Sequence, residues 1–378
     1  MDQASFDVIV IGGGAMGTAA ARTLASRGRS VVLLERFEIG HARGSSGGPT
    51  RIFRLAYDHP DYVRMARLAL RDWRDLEAEA GEALLITTAG LDVGAAGRPT
   101  AEALGSAGEH FEYLPPDAIA ERWPGIRLDP GTEAFVQEEG GVCMAERAVH
   151  AQARLARQHG ATIVERTRVE RLHATEAGVE VNTAAETYRG AVAVVTVGPW
   201  AGPLLRGAGI DLPLVPSFEQ VTYFALDDPS PLPTLIDWSI TPPNTPYVVP
   251  NPEEPGHFKV ALHMSGPPVD ADERSFEPDA DRVRRVTEYA GMRFAPHRPE
   301  RGTDTCLYTN TPDEDFVLDR RGSVVIGSPC SGHGFKFAPF IGRVLADLAM
   351  ARPTPVPLER FRFTRPALRA ASDPASTG

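Results

Sequence analysis

Lysine is almost missing from this chain: of 39 basic residues, 37 are arginine and only Lys259 and Lys336 are lysine. A solvated surface charge is served by either residue, so a chain this biased keeps lysine where a compact ammonium is required, and both positions are marked for chemistry. Cysteine is equally scarce. Cys143, Cys306 and Cys330 are odd in number and far apart, which fits neither a disulfide framework nor a zinc site, and no metal centre is expected. Positive charge is in deficit overall, and the net charge of -11 argues against nucleic acid or an anionic membrane surface as partner. No apolar run approaches the roughly 20 residues of a membrane span. The first apolar stretch, Val8 to Ile11, has no basic segment before it as a secretion signal would, so a cytoplasmic protein is expected. Internal repeats and low-complexity blocks are lacking too, and only Ala370 to Gly378 reads as a frayed tail.

What is present begins at the N-terminus. Phe6 to Ile11 is a short β-rich run, Gly12 to Gly17 a glycine-rich turn, Ala19 to Ser26 a helical stretch closed by Gly28, and Val31 to Leu34 a second buried strand. Gly12, Gly14 and Gly17 supply the G-x-G-x-x-G spacing that lets backbone approach a pyrophosphate at a helix N-terminus. Glu35, at the end of the second strand, is placed to accept hydrogen bonds from a ribose diol. This complete βαβ unit predicts dinucleotide binding without separating FAD from NAD. Helical patterns follow at Pro60 to Gly81 and Ala145 to Gly160. Short alternating runs (Val169 to His173, Val179 to Asn182, Glu186 to Arg189) predict an antiparallel meander, and Ala191 to Val197 a further buried strand.

The proline-rich stretch from Pro213 to Pro299 reads as a second domain, with β-like pieces at Gln220 to Ala225 and His257 to Leu262 and a helix from Ala280 to Tyr289. Val324 to Gly327 resumes a buried strand, and Pro339 to Met350 is a helix. Between them, Ser331 to Phe337 places small residues and Lys336 before a helix start, which suits stabilisation of negative charge on a cofactor ring or a bound carboxylate. Cys306 reads either as a thioether anchor for a cofactor or as a small buried apolar residue. Arg51 and Arg54, among so many arginines, read on their own as surface charge.

Four stretches together carry a resemblance: Gly44 to Tyr57 (GSSGGPTRIFRLAY), Lys259 to His263 (KVALH), Cys306 to Phe316 (CLYTNTPDEDF) and Ser331 to Phe337 (SGHGFKF). In these the chain resembles the monomeric sarcosine oxidase and N-methyltryptophan oxidase family of FAD-dependent amine oxidases, over almost its whole length. The resemblance implies a Rossmann-like α/β FAD-binding domain with a second α+β substrate domain on a mixed or antiparallel sheet. The boundaries expected are 1–85, 145–213 and 305–364 for the first, 86–144 and 214–304 for the second, and 365–378 for a tail.

It implies FAD held covalently by Cys306 through sulfur, with cofactor contacts at Gly12, Gly14, Gly17, Glu35, Arg43, Ser45, Arg51, Val169, Gly332, Gly334, Phe335 and Lys336. Arg54 and Lys336 would hold the substrate carboxylate, with Tyr247 near them. Lys259 would activate oxygen with Arg51 beside it, and His263 and Tyr308 would line the reacting cavity. The implied reaction takes a small secondary amino acid, N-methyl or cyclic, to an imine and hydrogen peroxide, in a monomer. Alternatives are a flavin dehydrogenase or oxidase of a primary amino acid, and a non-catalytic flavin-binding subunit. An NAD-dependent dehydrogenase would leave Cys306 and the Ser331 to Phe337 loop without a role. The sequence departs from the family at Ser46 and Gly47, where paired histidines are usual, at Pro49 in place of an acid, and across Leu226 to Pro246.

Overall fold

The structure is a computed structural model that describes residues 5–175, 177–240 and 244–372. It is built on two large sheets and one small one. In the first, Ser5–Ile11 pairs in parallel with Val31–Leu34 on one side and with Thr187–Val195 on the other, and Thr162–Val164 and Val324–Ser328 extend the parallel set. Val31–Leu34, Val324–Ser328 and the last four residues of both Ser5–Ile11 and Thr187–Val195 are buried on both faces, which is why they read as continuous apolar runs instead of alternating ones. The helices Ala15–Ser26, Ala145–Gln158 and Ala338–Ala349 contribute to one core on this sheet, and the short helix Ala201–Gly207 contributes to a second. Helix crossing is close: a Cβ on Gly342 would sit 2.5 Å from Ala19 Cβ.

The glycine turn after the first strand works by close approach as much as by dihedral freedom. Gly12 has φ +97°, a value that L side chains rarely adopt. A Cβ on Gly17 would fall 1.8 Å from Gly12 O. Gly17→Ala is therefore expected to destabilise the fold by about 3 kcal/mol, the upper end for an overpacked backbone contact, read as a lowered midpoint in urea with an unchanged slope.

The second sheet runs His297–Asn310, Val215–Leu226, His257–Leu262, Pro246–Pro250, Thr234–Asp237, Gly90–Val93, Ala134–Gln137, Glu112–Tyr113. All its pairs are antiparallel except Thr234–Asp237 with Gly90–Val93, so the sheet is mixed. A third, three-stranded sheet joins Thr50–Phe53, Gly141–Met144 and Leu85–Thr87. No helix among the described residues is long and apolar enough to cross a membrane.

Three expectations change. Glu186 to Arg189 and Ala191 to Val197 are not separate strands: Thr187–Val195 is continuous, antiparallel to Gly178–Thr183 at its start and parallel to Val324–Ser328 at its end. It changes neighbours at one edge without breaking, with Gly190 packed so closely that a Cβ there would meet Ile9 Cγ1 at 2.9 Å. Residues 305–310, expected with the dinucleotide-binding part, belong to the strand His297–Asn310 and pair with Val215–Gln220 in the second sheet. The tail expected from 365 begins as the helix Pro366–Ser372, anchored by buried Leu368; residues 373–378 of the expected frayed end lie outside the described residues.

Candidate active site

Against the second sheet and the small three-stranded one lies a cavity of about 1240 Å³, running from His41 and Arg43 to Lys336 and Arg360. The strand Thr50–Phe53 and the segment that follows it bring Arg51, Arg54 and Tyr57 to its wall. The second sheet supplies Tyr247, Lys259, His263, Cys306 and Tyr308 from its strands and their ends. The loop before the helix Ala338–Ala349 adds Gly332, Phe335 and Lys336.

Both lysines are deeply buried, Lys259 at 3% exposure and Lys336 at 6%. Each sits with one of the two expected arginines. Lys259 Nζ donates to Thr50 O at 2.7 Å, and Arg51 Nη1 donates to the same oxygen at 2.8 Å. Arg51 Nη2 also donates to Ser45 O at 3.0 Å and Gly47 O at 2.5 Å, so its fork holds the Ser45–Gly48 loop. Lys336 Nζ donates to Tyr57 Oη at 2.9 Å and His333 O at 2.7 Å, and Trp73 Nε1 fixes the Lys336 backbone by donating to its carbonyl. The Arg54 guanidinium lies over the Tyr57 ring at 4.5 Å, and its Nη1 is buried without a hydrogen-bond partner among the described residues.

The charge arithmetic at this second pair favours an anion. Burial, then the nearby Arg54, holds the Lys336 ammonium well below the usual lysine range. Two basic side chains share one wall, and a carboxylate placed against both would relieve the repulsion and satisfy Arg54 Nη1. A countercharge within the protein stands at the outer limit of ion-pair distance and is itself poorly solvated: Asp92 Oδ1 is 3.9 Å from Arg54 Nη1, accepts the Trp238 indole N–H at 2.7 Å, and is pushed up by burial despite Arg54.

Histidine is kept neutral here. Burial, then Arg54 and Lys336, depress His263 to about 4, and burial depresses His333 well below its ordinary value. His263 thus lines the pocket as an uncharged ring, 5.8 Å from Tyr308, whose hydroxyl is 3.4 Å from that of Tyr247. A Cβ on Gly332 would meet Tyr308 at 2.3 Å and His263 at 2.7 Å, so only glycine lets this loop approach. The linkage has a definite sign. Above pH 6.5 His263 is neutral folded or unfolded; as pH falls towards 4 the unfolded chain takes a proton that the native chain refuses. Stability should fall across that window by about 3 kcal/mol from this group. Thermal melts at pH 7 and pH 4.5 test this, and His263→Asn should narrow the difference.

The first βαβ unit is arranged for a dinucleotide. Glu35 accepts the Gly13 and Phe37 N–H groups at 2.6 and 2.7 Å, with His41 Nε2 at 3.4 Å; burial raises its pKa, but His41 and these hydrogen bonds win, and it lies below the usual carboxylate value. Ser46 Oγ accepts Ala15 N–H at 3.1 Å, and Pro49 O accepts Ala145 N–H at 2.8 Å. Where the family has histidine and an acid, this chain therefore ties its loop to two helix starts. Ser45 Oγ and Thr245 Oγ1 are buried on the cavity wall without a hydrogen-bond partner among the described residues. With Arg54 Nη1, these polar atoms and the cavity's length fit an FAD-sized ligand.

Among the remaining expected contacts, Arg43 and Ser45 line the cavity. Gly12, Gly14 and Gly17 form the glycine turn, and neither they nor Glu35 line the cavity. Gly334 is packed so that a Cβ would meet Pro329 O at 1.6 Å. Val169 does not line the cavity; it begins the strand Val169–Thr175 and packs on the core around Leu172 and Tyr188. Tyr57, Asp92, Trp238 and His333 were not singled out from sequence. Tyr57 closes the quoted Gly44 to Tyr57 stretch and Trp238 falls in the poorly matching middle region, whereas nothing local marks Asp92.

Comparison with known proteins agrees with this geometry. The family described as DAO, FAD dependent oxidoreductase, matches residues 7–348. The chain is 35% identical to peroxisomal sarcosine oxidase of Mus musculus over 95% of its own length and 96% of the relative's. It is 34% identical to monomeric sarcosine oxidase of a Bacillus species, over 96% and 97%. A solved structure of NikD, an unusual amino acid oxidase essential for nikkomycin biosynthesis, superposes with a TM-score of 0.85 at 28% identity, over 95% and 97%.

Proposed function

This chain belongs to the FAD dependent oxidoreductase family, and we propose that it is an oxidase of a small secondary amino acid, N-methyl or cyclic. FAD would take two electrons from the carbon beside the amine nitrogen and pass them to oxygen, leaving an imine that water hydrolyses and hydrogen peroxide. The observation that carries the reading is buried Lys336 beside half-buried Arg54, whose Nη1 is buried without a hydrogen-bond partner among the described residues and which lies over the Tyr57 and Trp238 rings. Arg54 and Lys336 hold the substrate carboxylate and so orient the reacting carbon. Neutral His263, with Tyr308 and Tyr247, shapes the rest of the pocket and adds no positive charge that would repel a protonated amine. Lys259 and Arg51, anchored on the Thr50 carbonyl, keep fixed positive charge at the place where oxygen becomes anionic. Cys306 holds the cofactor through its sulfur, and Gly12, Gly14, Gly17, Glu35, Arg43, Ser45, Gly332, Gly334 and Phe335 contact it. We read the protein as a monomer, supported by its likeness to a relative named monomeric sarcosine oxidase, and as cytoplasmic on the sequence reading alone.

The test is direct. Purified protein should be yellow, and oxygen uptake should be substantial with sarcosine or another N-methyl or cyclic amino acid and much weaker with the matching primary amino acid. Colourless protein, or equal rates with primary amino acids, would overturn the reading.

A further inference from the structure

Glu219 is a carboxylate that none of the roles above uses. It is 3% exposed on the strand Val215–Leu226. Its Oε1 accepts the Ser217 hydroxyl at 2.7 Å, and Asn310 Nδ2 donates in turn to Ser217 Oγ at 2.9 Å. Its Oε2 is buried with no hydrogen-bond partner among the described residues, and Arg282 Nη1 stands 3.6 Å away. The residue in register with Glu219 on the neighbouring antiparallel strand is Cys306. Directly opposed residues of such a pair project from the same face with Cβ atoms about 4.5–5.5 Å apart, so carboxylate and thiol are neighbours. That face is the cavity face: Cys306 lines the cavity, and so do Val221 and Tyr223, two and four residues beyond Glu219. Burial raises the proton affinity of both groups, Glu219 despite Ser217, Arg282 and the Gly266 and Ser265 N–H groups, and Cys306, with the Glu219 charge adding to burial, despite Arg51, Lys259 and Arg274. A thiol in this setting does not ionise unaided near neutral pH, and a sulfur nucleophile must be a thiolate.

We propose that Glu219 is the base that takes the Cys306 thiol proton as the sulfur bonds to FAD. The proposal rests on the reading that the cofactor is held covalently at Cys306. In the net reaction the S–H bond breaks and its proton passes to the Glu219 carboxylate. A C–S bond forms between Sγ and the 8α methyl carbon of the flavin, which gives up one hydrogen as a proton. The two electrons released reduce dioxygen, which with two protons leaves as hydrogen peroxide, and the bound cofactor ends oxidised.

The experiment uses full-length protein produced at limiting riboflavin: wild type, Glu219→Gln, Glu219→Asp and Cys306→Ala, each incubated with FAD at pH 7. Bound flavin is read by visible absorbance, and the covalent fraction by intact mass and by colour retained in acid precipitate. Glu219→Gln should bind FAD as wild type does but form the adduct on the order of 100-fold more slowly, the range for loss of a general base. Glu219→Asp should fall between the two, and Cys306→Ala should form none. A Gln variant that attaches flavin at the wild-type rate overturns the role of Glu219 alone. Wild type without any adduct overturns the covalent reading and the proposal with it. Should the Gln variant retain no flavin, the Asp variant decides, and an unchanged rate at equal occupancy counts against the base.

Discussion

Lys336→Met is expected to lower kcat/KM for an N-methyl amino acid by about a thousandfold while leaving the protein folded. The ammonium is buried, held by Tyr57 Oη and His333 O, and shares the cavity wall with Arg54. Removing one member of a buried charged contact costs about 3–5 kcal/mol, and about 1.4 kcal/mol is tenfold in rate. The loss falls on binding and orientation together, because the carboxylate that Lys336 holds also aims the reacting carbon. Stability should move the other way: burial and Arg54 already disfavour the Lys336 charge, so methionine removes a repulsion and the thermal midpoint should hold or rise. A variant that keeps its kcat/KM, or that unfolds, would contradict the assignment.

Lys259→Met should separate the two halves of the reaction. With its ammonium fixed on Thr50 O and 3% exposed, Lys259 is proposed to provide charge where oxygen is reduced, apart from the Arg54 and Lys336 pair proposed to hold the substrate's acid. Loss of one such preorganised charge is worth on the order of 10²–10³ in rate. Stopped-flow mixing should therefore show anaerobic bleaching by substrate little changed and recolouring by oxygen slowed by that factor. Equal losses in both would place Lys259 on the substrate side instead.

How much of this was legible from sequence depends on how local each signal is. The dinucleotide turn was readable because its constraint lies within six residues: the left-handed φ of Gly12 and the 1.8 Å approach at Gly17 admit glycine alone. The lysines were readable from scarcity, and both proved to be buried on the cavity wall. Asp92 was not readable, because its place beside Arg54 and Trp238 comes from the parallel pairing of Thr234–Asp237 with Gly90–Val93, segments far apart in the chain. Glu219 was hidden for the same reason, since its meaning lies in a register with Cys306 that no local pattern encodes. The change of neighbour along Thr187–Val195 split one strand into two in a reading that sees only alternation. Ser46 and Gly47 depart from the family pattern, and the structure gives them a different use: a hydroxyl on the helix start, and a glycine so close to the backbone of His41 and Ala42 that a Cβ would meet Ala42 Cα at 2.7 Å.

The central claim is that Arg54 and Lys336 act on the substrate carboxylate, and it is tested most directly by removing that charge from the substrate. Anaerobic bleaching of wild-type protein by sarcosine and by its neutral amide should differ about a thousandfold, and in Lys336→Met the ratio should shrink to about tenfold, as for a coupled pair in a double-mutant cycle. Wild-type protein that reacts equally with both, or a ratio that the substitution leaves unchanged, would contradict the account.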